Sequence, residues 1–300
     1  MIKESNINFM KLHKASFALS ALLVLLSIFL ICTKGLNFGI DFSGGILIEA
    51  RMSDKVEMSE VRKVLEGKVK EVQIQDVDNS IDDKSDILIR IASDDKEQSE
   101  VVKIIQDSLS QNFPDISYRK IDYVGPQIGA ELIKNGLLAL VISFFFILVY
   151  IWIRFDWQFG IGGIIALIHD AIITVGFYSI TQIEFNTTSI AALLTVIGYS
   201  INDSVVIYDR IRENLRKYKK MELFDIINSS TNSTLSRTLI TSGVTLFSLV
   251  ALILFGGDAL FSFSIATFFG IVIGTYSSLY IAAPILLYFD PRKKETKDSL

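Results

Sequence analysis

Six apolar runs, each long enough to cross a lipid bilayer, limit what this chain can fold into. They fall roughly at Phe17–Thr33, Leu132–Ile153, Phe159–Thr181, Thr188–Tyr208, Leu239–Phe255 and Leu260–Phe289. About 20 apolar residues, each rising 1.5 Å along a helix, match the ~30 Å hydrocarbon core. Inside lipid every backbone polar group needs an internal partner, which a helix supplies and a lone strand does not. The runs therefore predict a polytopic α-helical membrane protein with six transmembrane helices. A mean hydropathy of +0.44 agrees. The first run has no small-residue cleavage site before Lys34-Gly35 and is followed by five more, so it reads as an uncleaved signal anchor. The sixth exceeds one bilayer thickness, which implies tilt or extension past the membrane. The single Cys32 excludes an internal disulfide, and the bulky Ile31 before it argues against a lipid attachment site.

Orientation follows from the basic residues between the runs. Lys3, Lys11 and Lys14, then Arg154, then the group from Arg210 to Lys220, then Arg292 to Lys297 all fall on one side. The short connections near Glu184 and Asp258 carry neither Lys nor Arg. Both termini are thus expected in the cytosol. The resulting division is residues 1–35 as cytosolic N-terminus and first helix, and 36–131 as an extracytoplasmic domain. Residues 132–289 form a five-helix bundle with a cytosolic loop at 209–237, and 290–300 a cytosolic tail.

The domain between the first two runs alternates in pattern. A strand is predicted at Gly45–Met52, then a helix at Met58–Val69 with Met58, Val61, Val64 and Leu65 at helical spacing. Strands at Glu71–Val77 and Ile87–Ala92 follow, parted by the polar turn Asp78-Asn79-Ser80. A helix at Glu97–Asn112 and a strand at Ile116–Val124 complete the order β-α-β-β-α-β, that of an α+β ferredoxin-like fold. From Arg51 to Asp122 there are 17 acidic and 12 basic residues, so no basic surface calls for nucleic acid. The domain holds no metal-ligand cluster, nucleophile triad or phosphate loop, so neither an enzyme nor a cofactor is expected.

Chemistry is therefore sought among the polar residues inside the apolar runs. Asp203 lies in the fourth, in Gly198-Tyr199-Ser200-Ile201-Asn202-Asp203, and the cationic segment Arg210-Ile211-Arg212 follows. A carboxylate in a membrane helix costs roughly 2.5–3.5 kcal/mol on insertion scales, so it usually has a partner and a task. Burial favours the neutral carboxyl and a nearby cation the charged one; a group balanced between them can exchange protons. The plain alternative is a bond to a neighbouring helix or a wet vestibule. Arg237, at the start of the fifth run, is the candidate partner, since antiparallel neighbours put it near the depth of Asp203. Thr241 shares its helix face, four residues on. A snorkelling arginine marking the membrane boundary is the other reading, and position alone leaves both open. Asn202, Ser200 and Thr241 are the supporting polar groups. His169-Asp170, near the middle of the third run, is either part of a proton path or a structural pair, and we lean to the second.

Small residues carry other signals. Ala266, Gly270, Gly274, Ser278 and Ala282 recur at every fourth position of the sixth run, a pattern for close helix packing within the bundle or against a partner. Trp152, Phe155 and Trp157 read as an interfacial belt. Gly39, Asp41, Gly44 and Gly45 sit just outside the first run, where paired glycines permit a sharp turn into the first strand. Gly125-Pro126 joins the domain to the second run as a hinge or elbow.

These segments together resemble the SecF family, membrane subunits of the bacterial SecD–SecF complex within the RND superfamily. The resemblance rests on Gly39–Gly45, Val124–Gly129, Phe155-Asp156-Trp157 with His169-Asp170, Gly198–Asn214 and Thr234–Ser242. It implies an RND-like half and residence in the bacterial inner membrane. It also implies an accessory role in which SecD and this chain use the proton-motive force to promote late steps of export through the Sec translocase. Partners implied are SecD, the SecYEG translocon, YajC and the translocating preprotein. Asp203 and Arg237 correspond to the family's functional acid and arginine, with a further essential acid in SecD. At 300 residues the chain is expected to be the separate rather than the fused form. Half of a small-molecule RND-type exporter and a passive translocon scaffold are the alternatives.

Overall fold

The apolar runs are helical, and several extend well past their apolar parts. A computed structural model describes residues 6–52, 56–69, 72–77, 85–91 and 98–294. In chain order the elements are α1 (His13–Thr33), α2 (Ile40–Ser43), β1 (Gly45–Met52), α3 (Met58–Leu65), β2 (Val72–Val77), β3 (Ser85–Ile91), α4 (Gln98–Asn112) and β4 (Ser117–Val124). Then follow α5 (Pro126–Arg154), α6 (Trp157–Thr181), α7 (Thr187–Lys217), α8 (Leu223–Phe255), α9 (Asp258–Ser277), a π-helical turn (Ser278–Ala282) and α10 (Ala283–Ile285). Two compact units result: Met1–Asn37 with Leu138–Leu300, and Phe38–Leu137.

The smaller unit has the ferredoxin-like arrangement. Its sheet runs β2-β3-β1-β4 with every neighbour antiparallel, which the β-α-β-β-α-β order produces when each helix returns across one face. Alternate β1 residues Ile46, Ile48, Ala50 and Met52 are buried with Ile87, Ile89 and Ile91 of β3. Val61 and Leu65 of α3, and Ile105 and Leu109 of α4, each four residues apart, cover them. On the other face Arg51 pairs cross-strand with Asp86, donating from Nε at 2.6 Å and Nη2 at 2.7 Å, and Arg119 Nη1 adds a contact at 3.3 Å. Arg119 is the extra residue where the β1–β4 register shifts beside Glu49. The turn predicted at Asp78-Asn79-Ser80 lies outside the described residues.

Among the described residues, six helices are long and apolar enough to cross a membrane. In the larger unit α6, α7 and α9 form the interior, with 56%, 50% and 56% of their most apolar stretches buried, against 17% for α1 and α8. Helix α5 has only 6% of its stretch buried. Gly270 and Gly274 let α9 press onto α7: a Cβ at Gly270 would collide with Val196, and one at Gly274 would meet Ser200 Cβ at 3.0 Å. The small-residue row thus seats inside the chain's own bundle. Helix α7 starts from a capping box, in which Asn186 Oδ1 accepts from Ser189 N and Ser189 Oγ accepts from Asn186 N.

Two expectations change. The segment 209–237 is not a loop: α7 runs to Lys217 and α8 begins at Leu223, so only residues 218–222 connect them. The polar stretch hid this, because its buried face (Ile211, Asn214, Leu223, Ile226, Ile227 and Ser230) is short and mixed with Lys, Arg and Asn. The sixth run is not one long helix either. Regular winding stops at Ser277, a π turn follows, and Pro284, which lacks an N–H, sits in the short α10.

Candidate functional site

Asp203 and Asp170 are both buried in the larger unit, and their surroundings differ. Asp170 on α6 is fully enclosed and accepts three hydrogen bonds. Ser200 Oγ of α7 donates to Oδ2 at 2.5 Å, Ser277 Oγ of α9 to the same oxygen at 2.7 Å, and His169 Nδ1 lies 2.8 Å from Oδ1. One carboxylate thereby joins three helices. Asp203 on α7 is 2% exposed and, among the described residues, has a single hydrogen-bond partner, Ser242 Oγ of α8, donating to Oδ2 over 3.3 Å. Ser242 Oγ is in turn 2.9 Å from Thr275 Oγ1 of α9. An ionised carboxylate offers about four acceptor directions. Asp170 fills three of them and Asp203 one, at the long end of the range.

The ion pair expected between Asp203 and Arg237 is not formed. Four hydrogen bonds set the antiparallel register of α7 and α8: Thr245 to Tyr199, Ser242 to Asp203, Arg210 to Ser233 and Asn214 to Ser230. The paired residue numbers keep a nearly constant sum, 443 to 445, as an antiparallel register requires. Asp203 is therefore level with Ser242, and Arg237 falls five residues earlier, roughly 7.5 Å of helix rise away. The Arg237 side chain is exposed and makes no ion pair among the described residues. Depth counting failed because the helices continue past their apolar stretches, so position within an apolar run did not give register.

The supporting residues divide. Ser200 serves Asp170 rather than Asp203. Thr241 turns its hydroxyl back to the carbonyls of Arg237 and Thr238 at 3.0 Å each. Asn202 is exposed. Ser242, Thr275 and Ser277, none of them singled out from the sequence, make the decisive contacts. Small hydroxyls are common in membrane helices, and only helix register marks these three.

The glycine motifs meet within the smaller unit. Gly39 starts the one-turn helix α2, which ends at Gly44 with φ 70°, and Gly45 at φ 124° opens β1. Positive φ at both positions makes glycine the residue that turns without strain. Asp41 lies in α2 and is half-buried. Gly45 is paired with Val124 at the end of β4, and two residues on Pro126 begins α5 at the position where its missing N–H is harmless. A Cβ at Gly129 would stand 3.0 Å from the Phe42 carbonyl oxygen, so α5 starts directly against α2.

Comparison with known proteins agrees with this architecture. The family described as "Protein export membrane protein SecD/SecF, C-terminal" matches residues 104–292, and the "SecD/SecF GG Motif" matches 29–56. The protein translocase subunit SecF of Rickettsia rickettsii is 50% identical over 294 residues, 97% of this chain and 94% of the relative. The SecF subunit of Rickettsia bellii is 49% identical over 291 residues, 96% of this chain and 95% of its own. The chain belongs to the SecF family. Its likeness to solved SecDF structures is close as well. The crystal structure of SecDF, a translocon-associated membrane protein, from Thermus thermophilus aligns with a TM-score of 0.87 at 35% identity, covering 97% of this chain and 40% of that one. SecDF in a super-membrane-facing form aligns with a TM-score of 0.73 at 36% identity, covering 100% and 41%. The chain thus spans about two-fifths of the SecDF chains it matches. Asp170, Asp203 and Arg237 lie within the SecD/SecF match, and Gly44-Gly45 within the GG motif. With six spans and this membership, the SecF-family chain is a multi-pass membrane protein.

Proposed function

We propose that this chain is an accessory subunit of the Sec protein-export machinery which, with SecD, couples proton movement across the bacterial inner membrane to late steps of export. The reading takes the basic end of the bundle as cytosolic and residues 36–131 as the outward domain. SecYEG, YajC and the translocating preprotein are the further partners it implies. Membership of the SecF family supports the setting.

The observation that carries the mechanism is the contrast between the two buried carboxyls. Asp170, with three donors from three helices, holds the bundle together. Asp203, with one long bond and a shared Ser242–Thr275 hydroxyl pair, has acceptor capacity left to take up and release a proton. Protonation removes the charge that orders Ser242 and that Arg237 feels, so α7 and α8 repack and the outward domains reorient. One proton moving through about 100 mV releases ~2.3 kcal/mol, which shifts a two-state equilibrium by nearly fiftyfold. Arg237, five residues nearer the basic end, supplies the charge that resets Asp203 when the helices slide.

The test is Asp203→Asn in the assembled complex with SecD. The variant is expected to assemble at the wild-type level and to lose proton-dependent stimulation of preprotein translocation. Full stimulation in that variant removes the proposal in favour of a passive scaffold.

A further inference from the structure

The buried face of α8 carries hydroxyls at Ser230, Thr231, Thr234, Thr238 and Ser242, all at most 8% exposed. At about 100° per residue they occupy a sector of roughly 120° on the helix. Four of the five are engaged. Ser230, Thr231 and Thr234 close onto carbonyls one turn back, and Ser242 reaches Asp203 and Thr275. Thr238 is the exception: its Oγ1 is fully buried and has no partner among the described residues. A threonine in a helix usually satisfies its hydroxyl on the carbonyl four residues back, as Thr245 does at 3.1 Å. Leaving a buried hydroxyl unbonded is unfavourable.

The place of Thr238 gives that cost a use. It is one turn from Ser242 on the Asp203 side and one turn from Thr234 on the other. Thr234 Oγ1 donates to the Ser230 backbone carbonyl at 3.1 Å, and the next hydroxyl on this face, Ser230 Oγ, accepts from Asn214 Nδ2 at 2.8 Å near the basic end of the bundle. The α7–α8 register sets Thr238 level with Val206, an apolar residue that offers no competing acceptor. Arg237 is rotated about 100° away from Thr238 on the helix, on the flank of this face.

We propose that Thr238 is a relay position through which Asp203 exchanges protons with the basic end of the bundle, along the hydroxyl face of α8. The Thr238 oxygen accepts a proton from a water on one side while its own hydroxyl proton passes to a water on the other. The hydroxyl ends neutral and reoriented, one proton has moved, and no bond to carbon changes. The relay rests on the proposed role of Asp203 and adds the route by which that carboxyl is reached.

The experiment uses the complex of this chain with SecD in proteoliposomes, with an imposed pH difference and an internal pH-sensitive dye. Thr238→Val keeps the shape and removes the hydroxyl, Thr238→Ser keeps the hydroxyl, and Asp203→Asn is the reference. Thr238→Val is expected to slow proton entry about tenfold or more, given the 10²–10⁴ that a positioned proton-transfer group can contribute. Thr238→Ser should stay near the wild-type rate, with both variants unfolding at the wild-type temperature. Should Thr238→Val fail to assemble, Thr234→Val one turn along the same face is expected to slow entry likewise. A wild-type rate in the valine variants, with Asp203→Asn blocked, overturns the relay and leaves the role of Asp203 standing. Equal slowing by valine and serine with lowered thermal stability also overturns it, as a packing effect. A wild-type rate in Asp203→Asn overturns both readings.

Discussion

Asp170 and Asp203 show how far one residue can be read before its neighbours are known. The cost of a carboxylate in an apolar helix marks both as significant from sequence. What each does depends on how many donors reach it, and those come from helices distant in the chain: Ser200 and Ser277 for Asp170, Ser242 for Asp203. Asp170→Asn turns part of a three-donor acceptor into a donor facing Ser200 and Ser277. We expect about 2–3 kcal/mol of lost stability, the scale of hydrogen bonds to a charged group. The check is the thermal unfolding temperature of the protein in detergent, where Asp203→Asn, with its single 3.3 Å bond, should lower it far less. An equal drop in the two variants contradicts the division into a structural and an exchanging carboxyl.

At the scale of elements, the apolar runs marked the six long helices of the described residues, and β1 keeps its predicted bounds of Gly45–Met52. Helix ends were less legible. The polar halves of α7 and α8 carry too narrow an apolar face to register as helix, yet they pack along Ile211, Ile227 and Leu223. The small-residue row of α9 was visible as a motif, while its partner was not. That partner is α7, since Gly270 faces Val196 and Gly274 faces Ser200. Gly270→Ala should overpack this seam and cost about 1–3 kcal/mol. Adding Val196→Ala should recover most of the loss, because the two changes share one contact. A double-mutant cycle on thermal stability measures this, and additive losses would place the row against something other than α7.

At the scale of the whole molecule the chain is two units, and they can be followed separately. Both tryptophans, Trp152 and Trp157, belong to the membrane unit, whereas the Arg51–Asp86–Arg119 cluster belongs to the sheet domain. Asp86→Ala leaves two arginines around an emptied buried site and should destabilise the domain by about 3 kcal/mol. Hydrogen exchange at β1 and β3 should accelerate while the tryptophan emission transition of the bundle keeps its midpoint. A matching shift of that midpoint would mean the units unfold as one. Sequence alone determined the number of spans, the βαββαβ domain and which carboxyls were expensive, because hydropathy, period and charge are local properties of a chain. Tertiary structure decided that Asp203 meets Ser242 rather than Arg237, that Asp170 ties three helices, and that Thr238 is left facing the seam. Those outcomes depend on the register between helices, which is set by contacts summed along their whole length and is written at no single position.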